Sequence, residues 1–374
     1  MIKKFVLLFS LLMPFYCYAQ QNSRTSFSPD DADFYWAVNL LKITFEQEHN
    51  NFVVSPLSIY AATTLLANGA DGNTLNELTN MLTVNPKTDL QSVNNAVRSY
   101  ITHKKDSIQI VNSISGKVFR QDYIDEMQRE LFAQFDNEIS DEDKSTLGLK
   151  EEEPEGFVLK NVVDFKAKWK RYFGDSRVST FYSLDGNDDK VDLMPLEKVN
   201  VDYFQNDIMQ AIRLPYKDGN VMHIFLPDAN VDFCKFIKSL SAGDLYLDYF
   251  KTLADVYIPK FEIDYEAKDI ISFYKRGGVK DVFNRTANLS KLSDLPHYVD
   301  KIIHKTRIKT DEEGTEAHAE TIIYGITLGM SSVEERPRTI KFVADHPFIF
   351  MINNGDFIGV YTKGSRQPKS DVAF

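Results

Sequence analysis

The apolar positions of this chain change their period part-way along it. Over residues 30–48, Phe34, Ala37, Val38, Leu41 and Phe45 recur at three- and four-residue steps, while Asn39, Lys42 and Glu46 fall off the stripe, which predicts an amphipathic helix. Asn51-Phe-Val-Val-Ser-Pro then reads as a short strand running into a helix at Ser55-Pro56, because Pro is tolerated at the first helical position. The small Ala61, Ala62, Ala67 and Ala70 would let that helix pack closely. Helical spacing returns over 73–82 and 88–104, and 107–121 holds the alternating strand Ile108, Ile110, Val111, Ile114. Residues 135–160 are acidic and poorly periodic, with Glu151-Glu-Glu-Pro-Glu-Gly an exposed loop. After them strands dominate, at 157–165, 191–194, 208–214, 221–226 and 253–263. A helix over 267–276 interrupts them before 302–308, 339–342, 348–352 and 357–361. Helices early and strands late predict an α+β fold on antiparallel or mixed sheets.

Composition narrows the class. With 374 residues, 43% hydrophobic and 26% charged, the chain is globular, and no Gly/Ser- or Pro-rich linker divides it. One large domain over 30–374 is expected, behind a tail at 20–29. Lys3 and Lys4, the apolar run from Phe5 to Met13, and the ending Cys17-Tyr18-Ala19 have the order of a secretory signal peptide over 1–19. The mature protein is therefore expected to be secreted, soluble and extracellular. The full chain's net charge of −11 repels nucleic acid and anionic membranes, so neither is an expected partner. After processing only Cys234 would remain, leaving no internal disulfide. Asn284-Arg-Thr and Asn288-Leu-Ser are glycosylation sequons, a pattern that also arises by chance.

Catalytic chemistry receives no support. HExxH, CxxC, G-x-S-x-G and phosphate-loop signatures are missing, and the seven histidines have neither an i,i+4 pair nor a ligand spacing. No metal, no cofactor and no enzyme activity are expected. A secreted hydrolase would need a nucleophile and base that the chain does not present.

A set of ordered motifs carries a resemblance across nearly the whole mature chain. Asn51-Phe-Val-Val-Ser-Pro-Leu-Ser-Ile, Gly69-Ala-Asp-Gly-Asn-Thr-Leu, Asn161-Val-Val-Asp-Phe-Lys-Ala-Lys-Trp and Ile258-Pro-Lys-Phe are followed by His304-Lys-Thr, Asp311-Glu-Glu-Gly-Thr-Glu-Ala and Ala344-Asp-His-Pro-Phe-Ile-Phe. Leu214-Pro-Tyr-Lys and Ile224-Phe-Leu-Pro-Asp match a gate strand pair. In order and spacing these resemble the serpins, the serine protease inhibitor family. The resemblance implies three β-sheets, about eight or nine helices and an exposed reactive-centre loop near 312–338. It also implies a metastable native state, released when a protease cuts the loop and the loop enters the large sheet.

The hinge is written for that insertion. Strand side chains alternate faces, so every second residue of an inserted segment must be small or apolar. Thr315, Ala317, Ala319, Thr321 and Ile323 meet this, while Glu316, His318 and Glu320 take the outward set. A plain surface loop or an edge strand is the bland alternative. The family's usual spacing puts the scissile bond fourteen residues after Gly314, at Leu328-Gly329, with Met330-Ser331 second. The intervening segment spans roughly 45 Å as a strand. Leu328 suits a chymotrypsin-like or elastase-like serine protease, cysteine proteases being a further class.

Three departures qualify the likeness. The interval from Gly314 to Pro347 is about eight residues longer than usual, so counting back from Pro347 selects Arg336, where Pro337 should impede trypsin-like cleavage, and leaves Arg338-Thr339 as a further option. The acidic stretch is roughly a dozen residues short where a helix normally crosses the large sheet, leaving that helix truncated or lost. Thr362-Lys-Gly-Ser-Arg replaces the common Asn-Pro ending. By position, Ser55, Ser58, Asn161 and His304 resemble a polar cluster under the sheet. Trp169 and Gly314 resemble positions at its mouth, where Glu312 would pair with Lys260; ordinary packing is the alternative for each. A heparin-like polyanion at Arg98, His103, Lys104 and Lys105 is the weaker reading of a solvated helix end. The reading is a monomeric suicide-substrate inhibitor, and its rival is a non-inhibitory carrier, storage protein or chaperone.

Overall fold

The computed structural model describes residues 29–82, 90–147, 155–267, 269–315 and 339–366. Pro29 of the expected tail already opens the first helix, while the expected signal peptide and residues 20–28 of that tail lie outside the described residues. So do Ala317, Ala319, Thr321, Leu328, Gly329, Met330, Ser331, Arg336 and Arg338.

Eight α-helices occur among the described residues: α1 Pro29–Gln47, α2 Pro56–Gly69, α3 Gly72–Met81, α4 Leu90–Lys104, α5 Gln121–Leu131, α6 Asp141–Thr146, α7 Phe233–Ser239 and α8 Ile271–Arg276. The strands of the first half are β1 Phe52–Val54, β2 Ile108–Ser115, β3 Gln134–Asp136, β4 Phe157–Phe165, β5 Ala167–Lys168, β6 Arg177–Tyr182, β7 Asp188–Gln205 and β8 Met209–Pro215. Those of the second half are β9 Val221–Pro227, β10 Phe250–Pro259, β11 Phe261–Glu266, β12 Val299–Thr310, β13 Gly314–Thr315, β14 Ile340–Val343, β15 Phe348–Ile352 and β16 Phe357–Tyr361.

They form three sheets. A nine-stranded sheet runs β1-β16-β15-β9-β8-β7-β10-β14 with β6 also on β7. A five-stranded sheet runs β11-β12-β4-β2-β3, and a two-stranded ladder joins β13 to β5. The gate pair of the sequence reading is β8 against β9, antiparallel from Met209↔Pro227 to Pro215↔Val221. In the five-stranded sheet β12 and β4 run parallel, with His304 opposite Asn161.

Local chemistry explains the starts and stops. Ser55 caps α2, its hydroxyl accepting from Ser58 N, and Pro56 opens the first turn. Every residue of α2 but Asn68 is buried, which is why small Ala61, Ala62 and Ala67 occupy it. The run expected as one strand over 253–263 breaks at Pro259-Lys260. There Lys260 N donates to the Asp192 carbonyl and the chain passes from one sheet to the other. Two helices were not expected. In α5 the apolar stripe is narrow, Tyr123, Met127 and Leu131 one turn apart among polar residues, and α7 has only seven residues. The α8 helix begins at Ile271, later than 267, and the strand expected over 191–194 is part of the longer β7, Asp188–Gln205, which runs on mostly past 194.

The acidic stretch keeps a remnant helix. Ser140 caps α6 by accepting from Asp143 N at 3.1 Å. α6 lies across the outer face of the five-stranded sheet, where Asp143 pairs with Lys160 of β4 at 2.8 Å and Glu142 with Lys305 of β12 at 3.2 Å. Beside these pairs Ile139 packs with Val158 and Ile303.

Candidate functional site

Four polar residues converge between α2 and the inner face of the five-stranded sheet. Asn161 and His304 point there because the inward register of β4 and β12 also carries Leu159, Val163 and Ile308. His304 Nε2 accepts the Ser55 backbone N–H at 3.1 Å, so Nδ1 must carry the ring proton, which it gives to Asn161 Oδ1 at 2.5 Å. Asn161 Oδ1 also accepts from Ser58 Oγ at 2.7 Å. Its amide donates to the Ser58 carbonyl at 3.2 Å and to Asn112 Oδ1 at 2.6 Å. Burial pushes the His304 pKa down to about 3, so the ring is neutral, as the bonding requires. The cluster crosses the β4–β12 seam: separating these strands breaks the His304–Asn161 bond.

A second cluster stands at the end of the seam. The chain leaves β12 at Thr310 and turns through Asp311, whose carboxylate accepts from Glu313 N at 3.0 Å and Gly314 N at 3.1 Å. Gly314 and Thr315 then lie antiparallel to Lys168 and Ala167, the continuation of β4. Gly314 has φ +155°, and a Cβ there would stand 2.2 Å from the Ala167 carbonyl oxygen, so only glycine permits this approach. Trp169 is buried and stacked on Tyr216, with ring centroids 4.1 Å apart. Its indole N–H donates to the Asp311 carbonyl at 2.9 Å, and its backbone N–H to that of Glu313 at 2.9 Å. Lys260 Nζ lies 3.0 Å from Glu312. Burial alone would raise the Glu312 pKa, but the Lys260 ammonium and a hydrogen bond from Ser176 hold it below the usual range.

The remaining candidates are scattered. Thr339 is exposed just before β14, and Asn284 and Asn288 are exposed near the end of a short 3-10 turn. Arg98 pairs with Glu130 at 3.0 Å and Lys104 Nζ donates to Asn220 Oδ1 at 2.5 Å, so these two bases are already engaged. Cys234 is a free, half-buried thiol. Among the described residues no group of three or more His, Cys, Asp or Glu could hold a metal, and no helix is long and apolar enough to cross a membrane. Sequence reasoning missed Asn112 and Asp356. Asn112 had a signal, a polar residue in the inward register between Ile110 and Ile114; Asp356 meets Ser55 through its backbone carbonyl, which leaves none.

Comparison with known proteins gives this geometry a family. The family model described as Serpin (serine protease inhibitor) matches residues 34–146 and 144–357. Serpin B7 of Homo sapiens is 29% identical over 363 residues, covering 83% of this chain and 92% of that protein. An uncharacterized serpin-like protein of Methanosarcina mazei is 28% identical over 343 residues, covering 82% and 79%. Among solved structures, Serpin48 of Tenebrio molitor, described as highly specific, aligns at TM-score 0.77 and 23% identity over 90% of this chain and 98% of that one. Human thyroxine-binding globulin, solved with its thyroid ligand, aligns at 0.74 and 19% over 90% and 98%. At those identities the structural likeness speaks for the fold, and the family match speaks for descent. The chain, folded as three sheets around a polar-seamed parallel strand pair, belongs to the serpins.

Proposed function

We propose that this serpin is a secreted inhibitor that acts once, as a suicide substrate, on a serine protease with an apolar primary pocket. The protease supplies the nucleophile; the serpin supplies a bait bond at Leu328-Gly329 and a sheet able to take up the severed loop. It is in this reading an inhibitor rather than an enzyme, and its main partner is the target protease, with a cysteine protease as a second class.

The observation that carries the reading is the seam. Two parallel strands, β4 and β12, stand side by side, and the chain just after Gly314 already lies antiparallel to the extension of β4 at its end. A segment continuing from there would enter antiparallel to both neighbours and exchange one slanted parallel ladder for two antiparallel ones. The alternating small residues of 315–323 suit that burial. The rival reading is a ligand carrier, and thyroxine-binding globulin illustrates that the same fold serves one.

The test is direct mixing with chymotrypsin, elastase and trypsin, read by denaturing gel and mass spectrometry. A covalent complex that survives denaturation, linked through Leu328, is expected with chymotrypsin or elastase. Clean turnover by a broad protease panel, with no gain in heat stability after loop cleavage, would refute inhibition and favour the carrier.

A further inference from the structure

Asp356 lies in the tight turn between β15 and β16 and is 1% exposed. Three of its atoms are bound, two of them to distant parts of the molecule and one within its own turn. Its carbonyl accepts Ser55 Oγ at 2.7 Å, next to the His304–Asn161 pair. Its Oδ1 accepts the Tyr100 hydroxyl at 2.7 Å, and its Oδ2 accepts the Asn353 amide. The chain of bonds continues from Asn353 to Asn220 Oδ1 at 2.9 Å, where Lys104 Nζ also arrives at 2.5 Å.

Tyr100 and Lys104 are one turn apart on α4 and so share a face. Tyr100 ties the last turn of α4 to the β15–β16 turn, and Lys104 ties it to Asn220 in the neighbouring β8–β9 turn, itself bonded to Asn353. After α4 the chain goes directly into β2, which pairs with β4 through eight consecutive residues, Ile108↔Phe165 to Ser115↔Val158. Admitting a strand between β4 and β12 moves them from about 4.8 Å to about 9.6 Å apart. The β2–β4 half, with α4 attached, must slide relative to the β11–β12 half and the hairpin. Tyr100 and Asp356 stand on opposite sides of that slide.

We propose that Asp356 is a positioning residue that holds the sheet closed, by anchoring α4 through Tyr100 while its carbonyl fixes Ser55 beside the seam. The role rests on the insertion reading above, and it concerns the rate of opening rather than the chemistry of attack. Asp356→Asn keeps the shape but replaces an acceptor oxygen by a donor, and Tyr100→Phe removes one hydroxyl with little change in packing.

The experiment follows uptake of a synthetic peptide with the sequence of residues 315–328 by the uncut full-length protein, alongside heat denaturation of the uncut and loop-cleaved forms. Both variants should take up the peptide about ten-fold faster than the natural sequence. Their uncut forms should melt earlier, and their cleaved forms should melt where the unsubstituted cleaved form does, because the anchor is already broken once a strand is inserted. Should Asp356→Asn fail to fold, Tyr100→Phe alone reports the same outcome. Unchanged uptake, or an equal loss of stability in both forms, makes Asp356 a packing residue and overturns the proposal. An unsubstituted protein that takes up no peptide and gains no stability on cleavage overturns the insertion reading together with the Asp356 role. Normal insertion with unaffected variants overturns the Asp356 role alone.

Discussion

His304 and His346 respond to pH with opposite signs. Burial holds the folded His304 near pKa 3, against about 6.5 in an unfolded chain. Only the unfolded state takes up its proton between those values. Stability from this residue is therefore complete above about pH 6.5 and falls as pH drops toward 3, by about 1.4 kcal/mol per unit. Replacing it by Gln should lower stability at pH 7.5 but flatten the decline between pH 6.5 and 4, measured by urea unfolding. For His346, burial alone would lower the pKa, but bonds to Asp345 and to the Pro227 carbonyl, each 2.8 Å, raise it. Its contribution is present below pH 6.5 and disappears as pH rises through the folded value. His346→Gln should remove that alkaline loss. Gly314→Ala should displace the hinge turn, since the new methyl meets a carbonyl oxygen; roughly 1–3 kcal/mol is expected, read by thermal melting.

At the scale of elements, α6 is a clasp. Its six residues hold Lys160 on β4 through Asp143 and Lys305 on β12 through Glu142, the two strands that an inserted segment would part. The pairs differ in environment: the Asp143 side chain is 7% exposed and that of Glu142 is 79% exposed. Asp143→Asn should cost about 1–2 kcal/mol in the uncut protein, while Glu142→Gln should change little, as exposed pairs do. Denaturant unfolding of the two variants separates them. Element signals also explain what sequence made legible. Long periodic segments such as α4 and β4 announced themselves, whereas α7 is too short to show a period. The passage from β10 to β11 hides a change of sheet inside one apolar run, because the Asp192 carbonyl that receives Lys260 N is distant in sequence. Ser55, Ser58, Asn161 and His304 were found by motif order. What joins them, a tautomer choice and two remote partners, Asn112 in mid-strand and Asp356 in a turn, is fixed only by packing.

For the whole molecule, the expected mark of function is a stability gap between uncut and cut chains. A segment of about a dozen residues with a new neighbour on each side gains around a dozen net hydrogen bonds, each about 1 kcal/mol. Cleavage within 316–338 should therefore raise the melting temperature by 10 °C or more, measured by calorimetry on cut and uncut samples. Such a molecule is held in its working state by a barrier, so its useful lifetime is an unfolding rate rather than an equilibrium constant.

In the proposed insertion the seam of β4 and β12 would bond to backbone, common to every polypeptide, and ask of side chains only that alternate ones be small or apolar. The protein's own loop would be favoured by tethering at Gly314, which would give the segment an effective concentration on the order of millimolar. A stray extended peptide, or the loop of a crowded neighbour, competes only when its own concentration nears that level. Under the insertion reading, selectivity among such segments is a matter of dilution, and it would weaken wherever the protein is stored densely.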